Sequence, residues 1–521
     1  MRWKFTFLVI LYILSVIVRI YPAFVSPIPY NYDALLEARA GQYIADHGNL
    51  QYPVNVSYNN HHTPVTPILN VILGAVSQIV GVDVMSFLPF LFPFLVSIGV
   101  FGWFLLAKRI TNRDEIAALT AIMFALSGTY VLHTALIWKQ ALGMALMPFA
   151  LYTYKRRNTL SFLLLLAMPL VHHYVALITY LVVSYEIAYD LYHKYQEHEI
   201  IRRIDFAWIA GIIILWGYLA MYYTLRNFDR LNELAPSGNL WLYLSIFVLL
   251  YILTVKFFQY RYRGLKLRYF LLSLIIPLAI YVGYYFFPIF PHTPKFNQYT
   301  LIFTLGYILL LPMAISGFVI LLLTEYRDKR IYMATLTAPI HMILFFFLRG
   351  FDLESYVSIS RTFDFTDFSW HTATATTAYT SRRKILAFIA IIAIVSTTTP
   401  LTYFSMQAFG VNSYVYGDEY RASQWIHEYL PGVKVDSDER IGHIARNSFD
   451  IDASYMLPYE LKNGIRPVSK YWIVSDTWKE GAQMRPMPPI KVDVDKILED
   501  NSVVFSSGRT YVVINGTVDD I

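Results

Sequence analysis

Cysteine is absent from all 521 residues, which excludes disulfides, thiolate metal sites and a cysteine nucleophile. Charge is scarce: Asp, Glu, Lys and Arg make up 15% of the chain, where soluble domains carry about 25%. With 56% hydrophobic residues and a mean hydropathy of +0.44, this composition points to a bilayer rather than water. No internal repeat is visible. No small-residue cleavage site follows the apolar run that begins at Phe5, so that run reads as a retained first helix and not a removed leader. The net charge of +6 does not indicate nucleic acid, because the basic residues sit in short runs between apolar segments, where membrane topology accounts for them.

What is present is a series of apolar segments long enough to cross a membrane. They lie at 5–22, 86–107, 115–136, 141–154, 159–172, 174–192, 206–225, 238–257, 269–288, 300–324, 331–349, 362–381 and 384–405, which is about thirteen spans at roughly 20 residues each. If the chain alternates across the membrane, the runs Arg2/Lys4, Lys108/Arg109/Arg113, Lys155/Arg156/Arg157, Lys194/Arg202/Arg203, Lys256/Arg261/Arg263/Lys266/Arg268, Arg327/Lys329/Arg330 and Arg382/Arg383/Lys384 all fall on one side. That side is expected to be cytoplasmic. The apolar segment 64–82 would invert every later run if it spanned. It is therefore expected to lie on or re-enter the outer face, which makes 23–85 one large external loop. Residues 1–405 then form a polytopic α-helical membrane domain. The tail 406–521 has charges of both signs with punctuating Pro and Gly, and reads as a small extracytoplasmic α/β domain. It includes an amphipathic helix at 421–430, a strand within 470–478 and a hairpin over 502–516 turning at Ser507-Gly508.

Candidate chemistry gathers at the outer ends of these helices. In the first external loop, Asp33 and Glu37 are four apart and share a helix face, and Arg39, His61 and His62 follow. The bland alternative for Asp33 is the N-cap of a helix over 34–46. His172-His173 fall between two apolar spans, where ionisable residues are functional candidates. Lys295, Arg349 and Arg361 are cations on the side that should lack them. A guanidinium suits a phosphate, and pairing of Arg361 with Asp352, Glu354, Asp364 or Asp367 is the competing explanation. His61, His62, His172, His173 and Asp33 would supply enough ligands for a divalent metal if they converged, although no HExxH-type spacing exists. The small residues of TATATTA (372–378) suit close helix packing.

This layout resembles the C-type (GT-C) glycosyltransferase superfamily, membrane enzymes that use polyprenyl-phosphate-linked sugars. The resemblance rests on a first helix carrying Arg19, a large outer loop with an early acid in YDALLEARAGQYIADHG, a Pro-bearing outer-face helix in HHTPVTPILNVILGAVSQIVG, many spans, and a C-terminal soluble domain. It is similar in particular to prokaryotic and archaeal protein-mannosyltransferase-like and oligosaccharyltransferase-like members. The Trp-Trp-Asp-Tyr-Gly motif of oligosaccharyltransferases is missing, and Ala34 rather than a second acid follows Asp33. The resemblance implies an inverting transfer at the outer face. Asp33 would be the catalytic base, Arg361 with Lys295 or Arg349 would stabilise the leaving phosphate, and His172 and His173 would contact phosphate or sugar. It also implies a dolichyl- or other polyprenyl-phosphate sugar as donor and a protein, glycan or lipid as acceptor. A transporter or lipid-linked sugar flippase is the alternative from a different class. A non-catalytic surface scaffold is a third.

Overall fold

A computed structural model describes residues 2–25, 28, 31–50, 65–226, 239–259, 275–279, 282–283, 298–324, 328–351, 353–405, 415–484 and 487–515. The chain is a polytopic helical membrane protein with a small C-terminal sheet. Seven helices among the described residues are long and apolar enough to cross a membrane: Lys4–Phe24, Val84–Thr111, His173–Gln196, Arg203–Leu225, Leu305–Leu323, Lys329–Arg349 and Lys384–Leu401. The difference from about thirteen expected spans has identifiable sources. The segment 269–288 lies mostly outside the described residues, and several other segments form helices shorter than a span.

The membrane domain begins with α1 (Arg2–Val25), α2 (Tyr32–His47) and α3 (Ile68–Val80). At 13 residues, α3 reaches about 20 Å, short of the roughly 30 Å hydrocarbon core. It lies beside α2 in the same direction: Asn70 Nδ2 donates to Glu37 Oε2 at 2.6 Å, and Gln78 Nε2 donates to Ala45 O at 2.9 Å. Next come α4 (Val84–Ser97), α5 (Gly99–Thr111), α6 (Asp114–Leu126) and α7 (Gly128–Ala135). The apolar stretch 115–136 is thus two helices, broken at Ser127. The bundle continues with α8 (Lys139–Thr153), α9 (Asn158–Val171), α10 (His173–Gln196), α11 (Arg203–Leu225), α12 (Leu240–Gln259), α13 (Gln298–Leu323), α14 (Lys329–Arg349), α15 (Leu353–Thr380) and α16 (Lys384–Ser405). The small-residue stretch of α15 permits a close crossing. A Cβ on Gly317 of α13 would lie 1.7 Å from Ala373 O, so only glycine fits there.

The basic runs gather at one end of the bundle, where they share carboxylates. Lys4 and Lys108 both pair with Asp114. Lys155, Lys194 and Arg330 surround Asp190 at 2.9–3.0 Å. Arg109, almost fully buried, pairs with Asp328 and donates to the carbonyls of Leu151, Tyr152 and Tyr154 at 2.7–2.9 Å.

The tail sits against the opposite end. It runs α17 (Gly417–Tyr429), β1 (Lys434–Asp436), α18 (Glu439–Phe449), β2 (Asp452–Ser454), α19 (Leu457–Lys462), β3 (Tyr471–Ser475), α20 (Trp478–Gly481), β4 (Ala482–Met484), β5 (Met487–Ile490), α21 (Val494–Asp500), β6 (Ser502–Ser507) and β7 (Thr510–Ile514). The main sheet has the order β2-β1-β3-β7-β6, parallel across β2, β1 and β3 and antiparallel beyond. The expected hairpin turns at Gly508, whose φ of 69° suits glycine. Leu35 of α2 joins Val415 and Ile444 in one apolar cluster. Arg39 pairs with Asp450 and donates to Arg446 O at 3.0 Å. These contacts put the first loop and the C-terminal domain on the same side of the bundle, and they make Arg39 an anchor between the two.

Inside this domain Glu419 is fully buried and accepts from Arg440 at 2.6 Å. Burial raises its carboxyl from 4.5 to about 7, with Arg440 opposing. An acid whose folded pKa is raised binds its proton more tightly in the native state, so its contribution is present below pH 4.5 and lost as pH rises through about 7. Glu419→Gln is expected to flatten the fall of thermal stability over that window, an effect of about 3 kcal/mol at most. Melting of the purified protein at a series of pH values checks this; an unchanged slope would place the titration elsewhere.

Candidate functional site

The candidate site forms where α2, the turn after α7, the His172 break and α15 meet. Its foundation is Asn31, the residue before α2. Asn31 Nδ2 donates to Ile137 O and Ile137 N donates to Asn31 Oδ1, both at 3.1 Å. This reciprocal clamp fixes the first turn of α2 to the 136–138 turn. Asn31 therefore holds the N-cap position that was the bland alternative for Asp33, and Asp33 lies inside the first turn. Asp33 is half-buried and makes no hydrogen bond or ion pair among the described residues.

Glu37, one turn on, is engaged. It accepts from Asn70 and pairs with Lys139 at 3.2 Å. Burial raises its pKa, with Lys139 and Asn70 acting in the opposite direction and the Asp33 charge adding to the rise. This buried pair locks α2 to the start of α8 while Asp33 stays outside the lock. Ala34 and Ala38 of α2 pack in one apolar cluster with Ile137, Ala141, Leu142 and Val171, so the residue before His172 touches the same surface. His172 is extended, with φ −164° and ψ 128°, and stands between α9 and α10. Its ring stacks on His173 at 4.4 Å, and His173 meets Tyr223 edge-on at 6.4 Å.

Arg361 lies within α15 and not in a loop, because α15 is one continuous helix from Leu353. Its polar residues Thr362, Asp364, Asp367, Ser369, His371 and Thr372 are buried by neighbouring helices, so the segment needs no apolar character to be helical. The Arg361 guanidinium lies over the Trp138 ring at 5.0 Å, and Tyr174 bonds Thr362 beside it. Arg361 is thereby joined through Trp138 and Ile137 to the turn of α2 that bears Asp33. Arg349 ends α14 at the same end, since α10 and α14 run antiparallel with Tyr174 against Phe346 and Asp190 against Arg330. Lys295, His61 and His62 lie outside the described residues.

Sequence reasoning passed over Asn31, Trp138 and His133. His133 pairs with Asp364 at 2.9 Å and lies inside a segment read as an apolar span. An ionisable residue at membrane depth was the available signal. For a metal, no group of three or more His, Asp or Glu side chains among the described residues converges closely enough to hold an ion. The described residues therefore do not form a metal centre.

No protein-family model and no curated protein matches the sequence. Solved structures do match the fold. The oligosaccharyltransferase AglB from Archaeoglobus fulgidus, in complex with an inhibitory peptide and a dolichol-phosphate, is similar over 92% of this chain and 70% of that chain, with TM-score 0.51 and 11% identity. The apo form of the Archaeoglobus fulgidus oligosaccharyltransferase matches over the same shares with TM-score 0.54. The mycobacterial arabinofuranosyltransferase AftD matches over 99% of this chain and 40% of that chain, with TM-score 0.50 and 12% identity. These structures are GT-C glycosyltransferases, and the chain has the GT-C fold: a polytopic helical membrane domain with a small C-terminal sheet domain.

Proposed function

We propose that the protein is a membrane glycosyltransferase that moves a sugar from a polyprenyl-phosphate-linked donor to an acceptor hydroxyl. The observation that carries this is the half-buried Asp33 carboxylate, held outside the Glu37–Lys139 lock on the helix turn that Asn31 clamps beside Trp138 and Arg361. A base and a phosphate-binding cation at one end of an apolar bundle are what transfer from a lipid phosphate requires. Asp33 takes the acceptor proton as its oxygen attacks the anomeric carbon. The prenyl phosphate leaves toward Arg361, with Arg349 at the same end of the bundle. A single displacement of this kind inverts the anomeric configuration. His172 and His173 border the same apolar surface and are suited to sugar hydroxyls or phosphate oxygens. The dolichol-phosphate in the AglB structure supports a dolichyl- or other polyprenyl-phosphate donor. The gathering of basic residues at the opposite end supports a cytoplasmic N-terminus and an extracytoplasmic site.

The test is a transfer assay with purified protein, radiolabelled prenyl-phosphate sugars and extracted protein, glycan and lipid acceptors. Sugar transfer with equal release of prenyl phosphate is expected. Arg361→Ala is expected to lower kcat about 100-fold. Movement of intact lipid-linked sugar across vesicles without cleavage would instead establish the flippase reading.

A further inference from the structure

At the basic end of the bundle, the charges nearest the α8–α9 turn cancel one another. Lys155, Lys194 and Arg330 pair with Asp190 at 2.9–3.0 Å. Lys194 also pairs with Asp205 at 2.6 Å, and Lys155 with Glu186 at 2.9 Å. Three cations thus meet three carboxylates. Arg157, Arg202 and Arg203 stand outside this network. All three are exposed, and none forms an ion pair among the described residues. They belong to one rim. Arg157 precedes α9 and Arg203 opens α11, and these helices meet where Gly211 lies beside Phe162. Tyr154 of the α8–α9 turn packs edge-on against Trp208 of α11 at 4.5 Å. Of the two acids in the loop between α10 and α11, Glu197 pairs with His193 at 3.0 Å, which leaves Glu199 against three guanidiniums.

That loop joins two helices long and apolar enough to cross the membrane, His173–Gln196 and Arg203–Leu225. Residues 197–202 therefore lie at headgroup level. A loop in water there would be polar throughout. Instead Ile200 is 85% exposed and Ile201 44%, and Tyr195 and Ile204 on either side are exposed as well. Apolar side chains without protein cover thus stand directly beside guanidiniums without carboxylates. A free phosphate would satisfy only the guanidiniums, and a neutral lipid only the isoleucines. An anionic lipid satisfies both. Its phosphate suits the planar donor fork of arginine, and its acyl chains cover the apolar loop residues.

We propose that the α10–α11 loop, with Arg157, is a docking surface for an anionic phospholipid of the leaflet at the basic end. Arg157, Arg202 and Arg203 hold the headgroup phosphate, while Ile200 and Ile201 enter the interface beside the acyl chains. The bound lipid ties the α8–α9 turn to the start of α11, at the end of the bundle opposite to Asp33. The proposal is independent of the glycosyltransferase reading.

The experiment titrates the full-length protein in detergent micelles with phosphatidylglycerol, phosphatidylcholine or inorganic phosphate, and reads binding by native mass spectrometry and stability by thermal melting. Phosphatidylglycerol is expected to bind and to raise the melting temperature; the other two, at equal concentration, are expected to do neither. Arg202→Gln with Arg203→Gln is expected to weaken phosphatidylglycerol binding about 30-fold and to remove the rise. Arg382→Gln with Arg383→Gln takes the same charge from the same end, where Arg113 and Lys384 share the Tyr379 ring. It is expected to change the affinity by less than about threefold, because separated exposed charges are screened. If the Arg202/Arg203 variant does not fold, Ile200→Ser with Ile201→Ser decides, with an expected loss of about tenfold. An unchanged affinity in the deciding variant, an equal loss in the Arg382/Arg383 variant, or equal binding of phosphatidylcholine or inorganic phosphate overturns the proposal.

Discussion

Asp33→Asn is expected to abolish sugar transfer, lowering kcat by about 1,000-fold, within the range a positioned general base supplies, while the melting temperature and binding of prenyl phosphate stay as in the wild type. The exchange preserves shape but removes the ability to accept a proton. The structure explains why the fold should tolerate it. Among the described residues Asp33 makes no hydrogen bond or ion pair, so nothing that holds α2 is lost. The clamp from Asn31 to Ile137 remains, as does the lock of Glu37 on Lys139 and Asn70. Glu37→Gln is the informative contrast, because it leaves the buried Lys139 without its anion and so acts on stability. Initial rates with a prenyl-phosphate sugar, set beside thermal melts of both variants, separate the two roles. Residual activity above about a tenth of wild type in Asp33→Asn would remove Asp33 from the role of base.

The membrane class was legible because apolar runs of span length have few other physical explanations. That 64–82 does not cross as a span was legible for a different reason. Spanning there would have inverted every later basic run, and the helix it forms is too short to cross. The break at Ser127 was not legible, because 115–136 reads as one uninterrupted apolar run. The groups that receive the freed backbone at that break come from α1 and α16, far away in sequence: Arg19 donates to Phe124 O and Ala125 O, Thr399 donates to Leu126 O, and Thr398 Oγ1 accepts from Gly128 N. The continuity of α15 through Arg361 was hidden in the same way. Its polar residues look like loop residues until the neighbouring helices that bury them are known. Asp33 could be singled out from its place after the first helix. Asn31 and Trp138 could not, since each has its place through a partner on another element, Ile137 and Arg361 respectively; His133 offered only its ionisable ring within an apolar run, and its neighbour Asp364 lies on another helix.

Arg19→Met is expected to be the most damaging change to the fold at this site, about 3–5 kcal/mol, the cost of removing one member of a buried polar set. Arg19 is 1% exposed and serves acceptors on three helices. Its guanidinium donates to Phe124 O and Ala125 O at 3.1 Å, to Ser15 Oγ at 2.7 Å and to Thr134 Oγ1 at 2.8 Å. It also lies 5.1 Å from the Phe124 ring centroid. Phe124 and Ala125 belong to the last turn of α6, whose carbonyls have no helical donors once the chain breaks at Ser127. A cation at that C-terminus satisfies them and opposes the helix dipole. Methionine matches the length but donates nothing, so carbonyls buried beyond the reach of water are left unsatisfied. Lysine is expected to recover only part of the loss, because a single ammonium cannot reach acceptors arranged around a planar fork. Thr134 precedes the last residue of α7 and follows His133 directly, so the same guanidinium also fixes the turn that presents His133 and Trp138 to Arg361. Loss of Arg19 is therefore expected to lower the melting temperature and transfer activity together, whereas loss of Asp33 lowers activity alone. An Arg19→Met protein that melts with the wild type would show that α6 and α7 hold their break without the guanidinium.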